Sequence, residues 1–597
     1  AAPTNPKGLR AVDTPTTFAI DFETYYDKDY SVKTLGPVAY VNDSRFDAYL
    51  VSIVGDNGFE WVGHPSQAPW SAISGHRWVS HNASFDQPVF LRLVSIGLVP
   101  NDVSPCEWLC TADLCAYLQK PRSLKDACLV LFGVKLNKAV RSRLSGKRHS
   151  GELFPDKSLL EYALDDARYC LKLWITLEPQ WPAHERELSH LTRMWGIAGV
   201  FVDLDRLAAD MSTLARLRAE AQQLIPWVRD DADVVLSKRH LALTCREAGI
   251  EPPKSLAMDD EDCAIWEDTY GEQFPWVAAM RQWRRTNMLL AKYEAIQRRT
   301  LGKGCMSYNL KYCGAQHTGR WSGDAGVNLQ NLPRGDMFGV NLRACFIPTP
   351  GCVFIVADFS QIEPRVLAWL TEDNRLLRHI HACSDFYEAQ ARSMGLWDKS
   401  ESLRSDPALR HKIKGLNLGL AYGMGWKRFQ LLTGLDTSEC KRLVALYQEK
   451  NKPVLAMWDE LERKARKASQ RKNNPVLQLE LPSGRVIQYF DVQTKKGLTA
   501  QFVQGSKERK YITGPLLTEN VTQAVAREVF AAALLRVQTI TDCRVVWHVH
   551  DEIICEVPKI LAAGKQAEIE RVMCVPPEWA SDLPIAVESS IEERYTK

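Results

Sequence analysis

One stretch of the chain, VFIVADFSQIEPRVLAWL at residues 353–370, limits the possible fold more than any other. Its apolar, β-branched beginning predicts a buried strand that ends at Asp358, and apolar residues at helical spacing begin again at Ile362. Pro364 is compatible with a helix only in the first turn, where its missing N–H costs nothing. The pattern therefore predicts a carboxylate at a strand end, beside a helix start. Such a position suits a metal ion held against a phosphate, although an Asp there is more often a helix cap or turn residue.

Length and composition narrow the classes of protein. A chain of 597 residues predicts roughly two to four domains, and a 45% hydrophobic content is enough for sizeable cores. The net charge of +3 excludes an overall polybasic character, so any surface for nucleic acid must be local. The 16 cysteines form no CxxC pair and no zinc-like spacing, which indicates reduced thiols in a cytosolic setting. No apolar run reaches membrane-spanning length, so we expect no membrane partner.

Acidic residues recur on three separate predicted elements near the N-terminus. Asp21 and Glu23 follow an apolar segment, and alternate residues of a strand share one face. Asp86 lies where a short strand leads into a helix, and Tyr162 and Asp166 are one turn apart on a predicted helix. Two close divalent ions need several converging carboxylates, which these acids could supply. Each acid alone is more simply a surface residue, but the ordered set favours a metal site.

This ordered set of DxE, NxxxD and YxxxD resembles the proofreading 3′–5′ exonuclease domain of DNA polymerases. Every acidic position of that domain is matched here, whereas a degenerate domain would be expected to have lost an acid. The resemblance implies an RNase H-like fold and an active nuclease, in which Tyr162 helps to orient the attacking water. The implied metal ligands of the nuclease are Asp21, Glu23, Asp86 and Asp166.

Two later segments are rich in groups that bind phosphates. Cations cluster near the end of a long helical region, where they form either a solvated helix face or an arm that grips phosphate. A loop at residues 318–334 mixes Gly, amides and Arg, so it is either an ordinary surface loop or a segment that bonds phosphates and groove edges. The clustered cations are Arg281, Arg284, Arg285, Lys292, Arg298 and Arg299.

A basic helix is predicted after the central stretch, in RHKIKGLNLGLAYG at residues 410–423. Arg410, Lys414, Leu418 and Tyr422 recur every four residues, which predicts that they lie along one helix face. Two cations at this spacing can hold a triphosphate while the ring contacts a base or sugar. In the alternative interpretation, Leu418 and Tyr422 are core residues and the cations are solvated.

Two turns are predicted toward the C-terminus. Residues 481–489 indicate a turn between two strands. Alternating apolar strands also flank His550, Asp551 and Glu552, so these residues are expected at or beside a hairpin turn. A carboxylate at the tip could meet Asp358 across one metal pair, although a single His-Asp-Glu is weak evidence.

Together and in this order, the motifs resemble those of a family A DNA polymerase of the bacterial polymerase I large-fragment type, and phage enzymes in particular. The resemblance covers residues 18–557. DFSQIEPR resembles the first palm motif, RHKIKGLNLGLAYG the fingers helix and VHDEII the second palm motif. TGRWSGDAGVNLQNLPR and ENVTQ resemble segments that contact the template and primer.

This resemblance implies an α/β and α+β multidomain fold, in which an RNase H-like exonuclease domain precedes a right-hand polymerase domain. The implied bounds are 1–185 for the exonuclease domain and 186–597 for the polymerase domain. Within the latter, the thumb is expected at 204–300, the palm at 301–370 and 518–597, and the fingers with a β-ribbon at 371–517.

The resemblance also implies primer extension with dNTPs by two-metal phosphoryl transfer, with two Mg²⁺ ions per active site and Mn²⁺ as a substitute. Asp358 and Asp551 would bind the ions with the Phe359 carbonyl, and Glu552 would support them. The implied nucleotide-binding residues are Gln361, Glu363, Arg410, Lys414, Leu418 and Tyr422. The implied DNA-binding residues are Arg320, Gln330, Asn331, Asn520, Gln523 and His550.

Three of these residues carry further implications. Lys414 would protonate the leaving pyrophosphate, and Glu363 would crowd the sugar 2′ position. Leu418 stands where the family usually has Phe or Tyr, which puts sugar discrimination and catalytic speed in doubt but leaves the reaction class unchanged.

The implied partners are primer–template DNA, dNTPs and phage replication accessory proteins. We expect a monomer in the cytoplasm of a bacterial host. Because the chain begins at the proofreading domain, the 5′ nuclease of bacterial polymerase I is expected to be absent, and this compact layout suits phage genome replication.

Three other functions account for parts of the sequence. A single-subunit RNA polymerase would lack the acid at Glu363, and a nuclease with an inactive polymerase half would have lost Asp358 or Asp551. A non-catalytic nucleic-acid-binding protein would have no reason to keep two complete acid sets. The sequence therefore favours a DNA polymerase with a proofreading nuclease.

Overall fold

The structure is a computed structural model that describes residues 15–136, 145–146, 157–228, 234–256, 260–302, 304–324, 327–383 and 385–597. Residues 325 and 326 of the predicted 318–334 loop lie outside the described residues, as do several positions within the expected 1–185 domain. In the described ranges, every helix is too short or too polar to cross a membrane.

The N-terminal part of the chain is a mixed five-stranded sheet covered by helices. Its strands are β1 (Thr17–Thr24), β2 (Ala48–Gly55), β3 (Glu60–Gly63), β4 (Arg77–Ser80) and β5 (Glu107–Cys110). Its helices are α1 (Val32–Leu35), α2 (Pro37–Asn42), α3 (Trp70–Ile73), α4 (Ala83–Ser95), α5 (Thr111–Tyr117), α6 (Leu124–Phe132) and α7 (Lys157–Leu177).

The order of this sheet is β3-β2-β1-β4-β5, with β1 antiparallel to β2 and parallel to β4. Helix α7 packs across β1 and β2. The small side chains of Ala163 and Ala167, both 0% exposed, allow this close approach. The central strand and this helix are therefore the elements that meet in the middle of the domain.

Long helices and short strands follow. The helices are α8 (Ala183–Ala198), α9 (Leu204–Gln223), α10 (Lys238–Glu247), α11 (Glu261–Tyr270) and α12 (Pro275–Arg299). The short strands are β6 (Val200–Val202), β7 (Cys305–Met306), β8 (Leu310–Ala315), β9 (Arg320–Gly323) and β10 (Phe346–Ile347). Helices α9 and α12 pack along each other, and the order β10-β6-β7 forms a small antiparallel sheet.

The central stretch forms β11 (Cys352–Phe359) and α13 (Ile362–Leu370), so the predicted strand and helix are confirmed. Pro364 is the third residue of the helix, within its first turn as expected. The following helices are α14 (Asn374–Ala382), α15 (Phe386–Ser393), α16 (Pro407–Leu420), α17 (Trp426–Thr433), α18 (Thr437–Lys450) and α19 (Lys452–Ser469).

A small antiparallel ribbon lies between these helices and the last part of the chain. Its strands are β12 (Leu477–Glu480), β13 (Val486–Gln493), β14 (Thr499–Gln501) and β15 (Lys510–Tyr511). The predicted turn at residues 481–489 is confirmed, because β12 pairs with β13 across it. Gln119 of the N-terminal part docks this ribbon, since its amide donates to the Gln488 and Phe502 carbonyls at 2.9 and 3.1 Å.

The last elements complete an antiparallel sheet around β11. They are α20 (Gly514–Val537), β16 (Arg544–Val549), β17 (Glu552–Pro558), α21 (Ala562–Met573) and β18 (Val587–Glu592). The sheet order is β16-β17-β11-β18, so β11 is an inner strand. Residues 353–357 are at most 2% exposed, and α21 packs against this strand. A buried ion pair between Glu185 of α8 and Arg527 of α20 joins the two parts of the chain.

Candidate active sites

The N-terminal acids converge where β1, α4 and α7 meet. Asp21 and Glu23 are half-buried on one side of β1 while Phe22 is buried, as the strand alternation predicts. Asp86 lies in the first turn of α4, where its Oδ1 accepts a hydrogen bond from the Phe22 N–H at 3.2 Å. Burial raises the pKa of Asp86 well above its usual range, and the nearby Glu23 charge raises it further. The second element of the set is thus held directly against the first.

Helix α7 brings the third element to the same place. Tyr162 and Asp166 are both buried on this helix. Burial raises the pKa of the Tyr162 phenol, and the charges of Asp166, Glu23 and Asp21 raise it further, in that order. Charge interactions in a protein weaken over a Debye length of roughly 10 Å, so the phenol lies in the neighbourhood of these three carboxylates. The structure therefore brings together all five residues predicted for this site.

A second acid site lies at one end of the antiparallel sheet, where β11 finishes and β17 begins. Asp358, on β11, is the cross-strand partner of Glu552 on β17. His550 and Asp551 form the two-residue turn between β16 and β17, and His550 has the left-handed backbone (φ 54°) that such a turn requires. The Phe359 N–H donates to the Asp551 carbonyl oxygen at 3.2 Å, which fixes the turn against β11. The predicted hairpin and its proximity to Asp358 are confirmed.

The acids of this second site repel one another in a partly buried setting. Burial and the Asp358 charge raise the pKa of Asp551 to about 7. Burial also raises the pKa of Asp358, although Lys597 opposes the shift with its Nζ 3.5 Å from Asp358 Oδ2. Glu552 accepts a hydrogen bond from the Tyr595 hydroxyl at 2.9 Å, which orients its carboxylate. A bound cation would relieve this repulsion.

Both sites consist of the oxygen ligands that hard divalent cations prefer. Among the described residues, no three His, Cys, Asp or Glu side chains already stand in the arrangement of a metal-binding cluster. The donor chemistry and the raised carboxyl pKa values nevertheless fit Mg²⁺ or Mn²⁺, because each site concentrates negative charge that a cation would neutralise.

Two amides predicted to bind DNA are used inside the fold. Gln330 is buried; its Oε1 accepts from the His550 N–H at 2.8 Å and its Nε2 donates to the His548 carbonyl at 2.7 Å. It therefore braces the turn that carries Asp551. Asn520 is also buried and donates to the Tyr489 hydroxyl at 2.8 Å.

The remaining residues predicted to bind DNA are more accessible. Asn331 and His550 are exposed. Gln523 is half-buried and donates to Glu519 at 3.2 Å. Arg320 forms an ion pair with Glu363, the residue expected beside the sugar, and both side chains are about a quarter exposed. This pair joins the start of β9 to the start of α13.

The predicted nucleotide face is formed mainly by α16. Leu418 is 57% exposed although its neighbours Leu416 and Leu420 are 0% and 3% exposed. The alternative that Leu418 is a core residue is therefore wrong. Lys414 is likewise exposed. Because α16 ends at Leu420, Tyr422 lies in the following turn, so the expectation that all four residues share one helix face is wrong for the tyrosine.

Tyr422 nevertheless remains close to the predicted nucleotide-binding residues. Burial raises its pKa well above the usual range, followed by the charge of Glu363. Gln361 lies just before α13 in a left-handed conformation (φ 49°), and its Oε1 accepts from the Phe386 N–H at 3.3 Å. These contacts connect the start of α13 with the helices that follow it.

Two of the clustered cations on α12 belong neither to a solvated helix face nor to an arm that grips phosphate. Arg281 is 1% exposed and its Nε donates to Glu267 Oε2 at 3.0 Å. Arg299 is 2% exposed and donates to the Lys33 carbonyl at 3.3 Å, so it connects α12 with the N-terminal part. Both arginines are structural, and only the remaining members of the cluster are available for a solvated or phosphate-binding surface.

Sequence reasoning missed several residues around the second site. Asp385 accepts from Arg410 Nε at 2.8 Å, and the Arg410 guanidinium lies over the Tyr387 ring at 5.1 Å. Tyr595 and Lys597 contact the acids directly. An Asp before a helix typically indicates only a helix cap. Tyr595 and Lys597, near the C-terminus, lie in no recognisable sequence motif.

His548 lies directly behind the hairpin in an aromatic cage. It is 0% exposed, and neither ring nitrogen has a hydrogen-bond partner among the described residues. The centroid of its ring lies 4.8 Å from that of Trp321, 5.4 Å from that of Phe530 and 6.1 Å from that of Trp195. Burial lowers its pKa from 6.5 to about 3. His548 is therefore a neutral packing residue of the sheet.

Replacing His548 with phenylalanine is expected to make the fold less sensitive to acid. With a pKa of about 3 when folded and about 6.5 when unfolded, the imidazole is neutral in both states above pH ~6.5. As the pH falls below that value, only the unfolded chain takes up the proton, so stability is lost at about 1.4 kcal/mol per pH unit. Urea titrations at pH 7.5 and 5 should show about 2 kcal/mol less loss for His548→Phe than for the wild type.

The exposed His381→Phe serves as the control, because an exposed imidazole loses no solvation on folding. We expect this variant to lose as much stability in acid as the wild type does. Equal acid losses in the wild type and in His548→Phe would contradict the neutral, caged state of His548.

Comparison with known proteins identifies the family. Residues 260–597, more than half of the chain, match the family model described as DNA polymerase family A. A DNA polymerase of Bacillus phage SP02 is 26% identical and covers 97% of this chain and 100% of its own length. A thermostable DNA polymerase I of Thermus filiformis is 28% identical, with 46% of this chain and 31% of that protein covered.

A solved structure matches the whole fold. The POL domain of Pol1 from M. smegmatis, in complex with DNA primer–template and dNTP, has a TM-score of 0.70 at 19% identity and covers 98% of this chain and 96% of its own. The fold is thus that of a polymerase domain. The chain belongs to DNA polymerase family A.

Proposed function

We propose that this protein is a template-directed DNA polymerase that extends a primer with dNTPs and proofreads its product with a 3′–5′ exonuclease site. The polymerase assignment rests on the convergence of Asp358 and Asp551 at one end of the sheet, in a chain that belongs to DNA polymerase family A. A nearby ion pair supports it: Arg404, just before α16, lies 3.2 Å from Glu588, the cross-strand partner of Asp358. The basic helix therefore begins beside the acid pair.

The side chains around the acid pair have distinct proposed roles. Asp358, Asp551 and the Phe359 carbonyl would hold two Mg²⁺ ions, which when bound favour the ionised primer 3′-hydroxyl and neutralise charge on the triphosphate. Arg410 and Lys414 bind the triphosphate, and the Lys414 ammonium gives its proton to the leaving pyrophosphate oxygen. Glu552 supports the two metal ligands, and the hydrogen bond from the Tyr595 hydroxyl holds its carboxylate in place.

Further residues define the sugar and the primer terminus. Glu363 occupies the space next to the sugar 2′ position, and its ion pair with Arg320 keeps it there in the absence of nucleotide. Tyr422 contacts the nascent base pair. Gln330, Asn331, Asn520, Gln523 and His550 complete the DNA-binding surface, with Gln330 and Asn520 acting through the backbone and hydroxyl groups that they hold.

The proposed nuclease site comprises Asp21, Glu23, Asp86 and Asp166, with Tyr162 orienting the attacking water. Its support is the convergence of three separate elements, which a structural role would not require. The exonuclease domain spans residues 1–185 and the polymerase domain 186–597. In the latter, the thumb is 204–300, the palm 301–370 and 518–597, and the fingers with the ribbon 371–517.

The biological setting is proposed from the phage relative. The DNA polymerase of Bacillus phage SP02 matches nearly the whole of both chains. Phage genome replication in the cytoplasm of a bacterial host, by a monomer with phage accessory proteins, fits this likeness.

Primer extension from a mismatched 3′ terminus tests both activities in one assay. We expect the purified protein with Mg²⁺ and dNTPs to remove the mismatched nucleotide before it extends the primer. A phosphorothioate linkage at the terminus should delay extension, because it slows removal and leaves synthesis intact. Extension with ribonucleotides alone would instead favour an RNA polymerase, and the absence of extension in either reaction would contradict the proposal.

Replacing Leu418 with tyrosine is expected to increase the acceptance of dideoxynucleotides. Leu418 is exposed on the face that carries Lys414, and a phenol there could occupy the space of the missing 3′-hydroxyl. Leu418→Phe should raise the single-turnover insertion rate, because a flat ring positions the sugar better than a flexible aliphatic chain. Rapid-quench kinetics measure both effects.

The exposed Leu431 of α17 provides the control for added aromatic surface, as Leu431→Tyr. That variant should keep the wild-type preference for deoxynucleotides. An unchanged preference in Leu418→Tyr would mean that residue 418 does not face the sugar.

A further inference from the structure

We propose that Asp385 is the residue that positions Arg410 for the triphosphate, so that the affinity for dNTP depends on a buried acid outside the motifs identified in the sequence. This inference rests on the proposed function of Arg410. Asp385 immediately precedes α15, and its side chain is only 2% exposed, whereas the Arg410 side chain is 30% exposed. A buried carboxylate thus holds a partly exposed cation.

The two oxygens of Asp385 have separate partners. Oδ1 accepts from the Tyr387 N–H at 2.9 Å and caps α15. Oδ2 accepts from Arg410 Nε at 2.8 Å, and Arg404 lies farther away at 3.9 Å. One carboxylate therefore joins the start of α15 to α16, and the cap itself fixes where the second oxygen points.

The contact leaves the useful end of Arg410 available. Only Nε is bonded to Asp385, and within the described part of the chain neither terminal nitrogen of Arg410 has a hydrogen-bond partner. The guanidinium also lies over the Tyr387 ring at 5.1 Å, which holds its plane from a second side. A guanidinium fixed through Nε and one face presents its two terminal nitrogens as a fork, the geometry that suits phosphate oxygens.

This arrangement predicts a specific energetic role. A free arginine would have to be ordered when the nucleotide binds, whereas this one is ordered beforehand. Asp385 itself does not touch the nucleotide in this scheme, so its loss should weaken nucleotide binding without changing the binding of primer–template DNA. The expected loss of dNTP affinity is on the order of tenfold, as for other hydrogen bonds to a charged group.

The test compares Asp385→Asn with Arg410→Ala, with the double variant and with a matched control. The asparagine variant keeps an oxygen for the helix cap but places an amide donor or an uncharged oxygen against Arg410. The control is Asp373→Asn, because Asp373 is also buried, caps α14 and pairs with an arginine, Arg375 at 3.6 Å. Thermal unfolding of each variant identifies any loss of fold.

Single-nucleotide insertion kinetics should show KM for dNTP raised about tenfold in Asp385→Asn, with kcat and primer–template Kd within about threefold of wild type. Inhibition by pyrophosphate should weaken in parallel. The double variant should match Arg410→Ala, since the acid acts only through the arginine. Asp373→Asn should change none of these constants.

The alternative outcomes are distinguishable. An unchanged KM in Asp385→Asn, an equal effect in Asp373→Asn, or an additive double variant would overturn the role of Asp385 alone. An unchanged KM in Arg410→Ala would overturn both this inference and the proposed nucleotide site. If Asp385→Asn is less stable than the wild type, Asp385→Glu is the deciding variant. A KM near the wild-type value in this variant, even at lower stability, supports the positioning role of the carboxylate. A KM that remains raised overturns it.

Discussion

Replacing Asp551 with alanine is expected to lower primer extension by at least about a thousandfold while single-strand degradation continues at the wild-type rate. A loss of this size corresponds to about 4 kcal/mol, which is within the range supplied by metal-assisted charge stabilisation in phosphoryl transfer. Asp358→Ala should have the same effect, because the two carboxylates form one site. Both activities can be measured by single-turnover assays on the same 5′-labelled primer, annealed for extension and unannealed for degradation.

The stability of the variants separates a lost site from a lost fold. Asp551 is half-buried close to Asp358, and burial together with the Asp358 charge raises its pKa to about 7. Removing one of two repelling, half-buried charges should leave the melting temperature in EDTA unchanged or higher. Glu593→Gln, which removes an exposed carboxylate paired with Lys559 at 2.6 Å, is the control and should retain extension. Loss of degradation in a well-folded Asp551→Ala would contradict two independent sites.

Local patterns were sufficient to predict the elements that carry the acids. The apolar run before Asp358 is a buried inner strand, and the DxE alternation of Asp21 and Glu23 places both on one side of β1. The hairpin at Asp551 also follows from its flanking apolar strands. In each case the deciding information lies within about ten residues of sequence, where periodicity is a strong signal.

Side-chain partners distant in sequence could not be predicted. Gln330 and Asn520 resemble exposed DNA contacts in their motifs, but they are bonded to His550 and Tyr489 across the fold. Arg281 looked like part of a basic face and is buried against Glu267. Such pairings depend on how separate elements pack, which neither composition nor spacing encodes.

Helix α16 illustrates both outcomes. The four-residue spacing correctly placed Lys414 and Leu418 on one face of a helix, and both side chains are exposed. It failed for Tyr422, because α16 ends at Leu420 and the tyrosine lies in a turn that continues to Gly423, which has a left-handed backbone (φ 83°). A four-residue spacing predicts a shared helix face only for residues whose backbone is helical.

Removing the N-terminal acids is expected to produce the opposite phenotype to Asp551→Ala. Asp21→Ala combined with Glu23→Ala should reduce Mg²⁺-dependent degradation of single strands by at least about a thousandfold, on the same energetic grounds. Extension of a matched primer should stay near the wild-type rate. Extension of a mismatched primer should leave the mismatch in the product, because nothing removes it.

A neighbouring acid on α7 provides a sharp control for this nuclease prediction. Asp165 precedes Asp166, but its side chain is 44% exposed and pairs with Arg168 at 3.1 Å instead of joining the site. Asp165→Ala should therefore keep full degradation, whereas Asp166→Ala should lose it. Asp86→Ala should behave like Asp166→Ala, since its carboxyl is held against β1 by the Phe22 N–H. Substantial Mg²⁺-dependent degradation by the Asp21/Glu23 double variant would place the nuclease elsewhere in the protein.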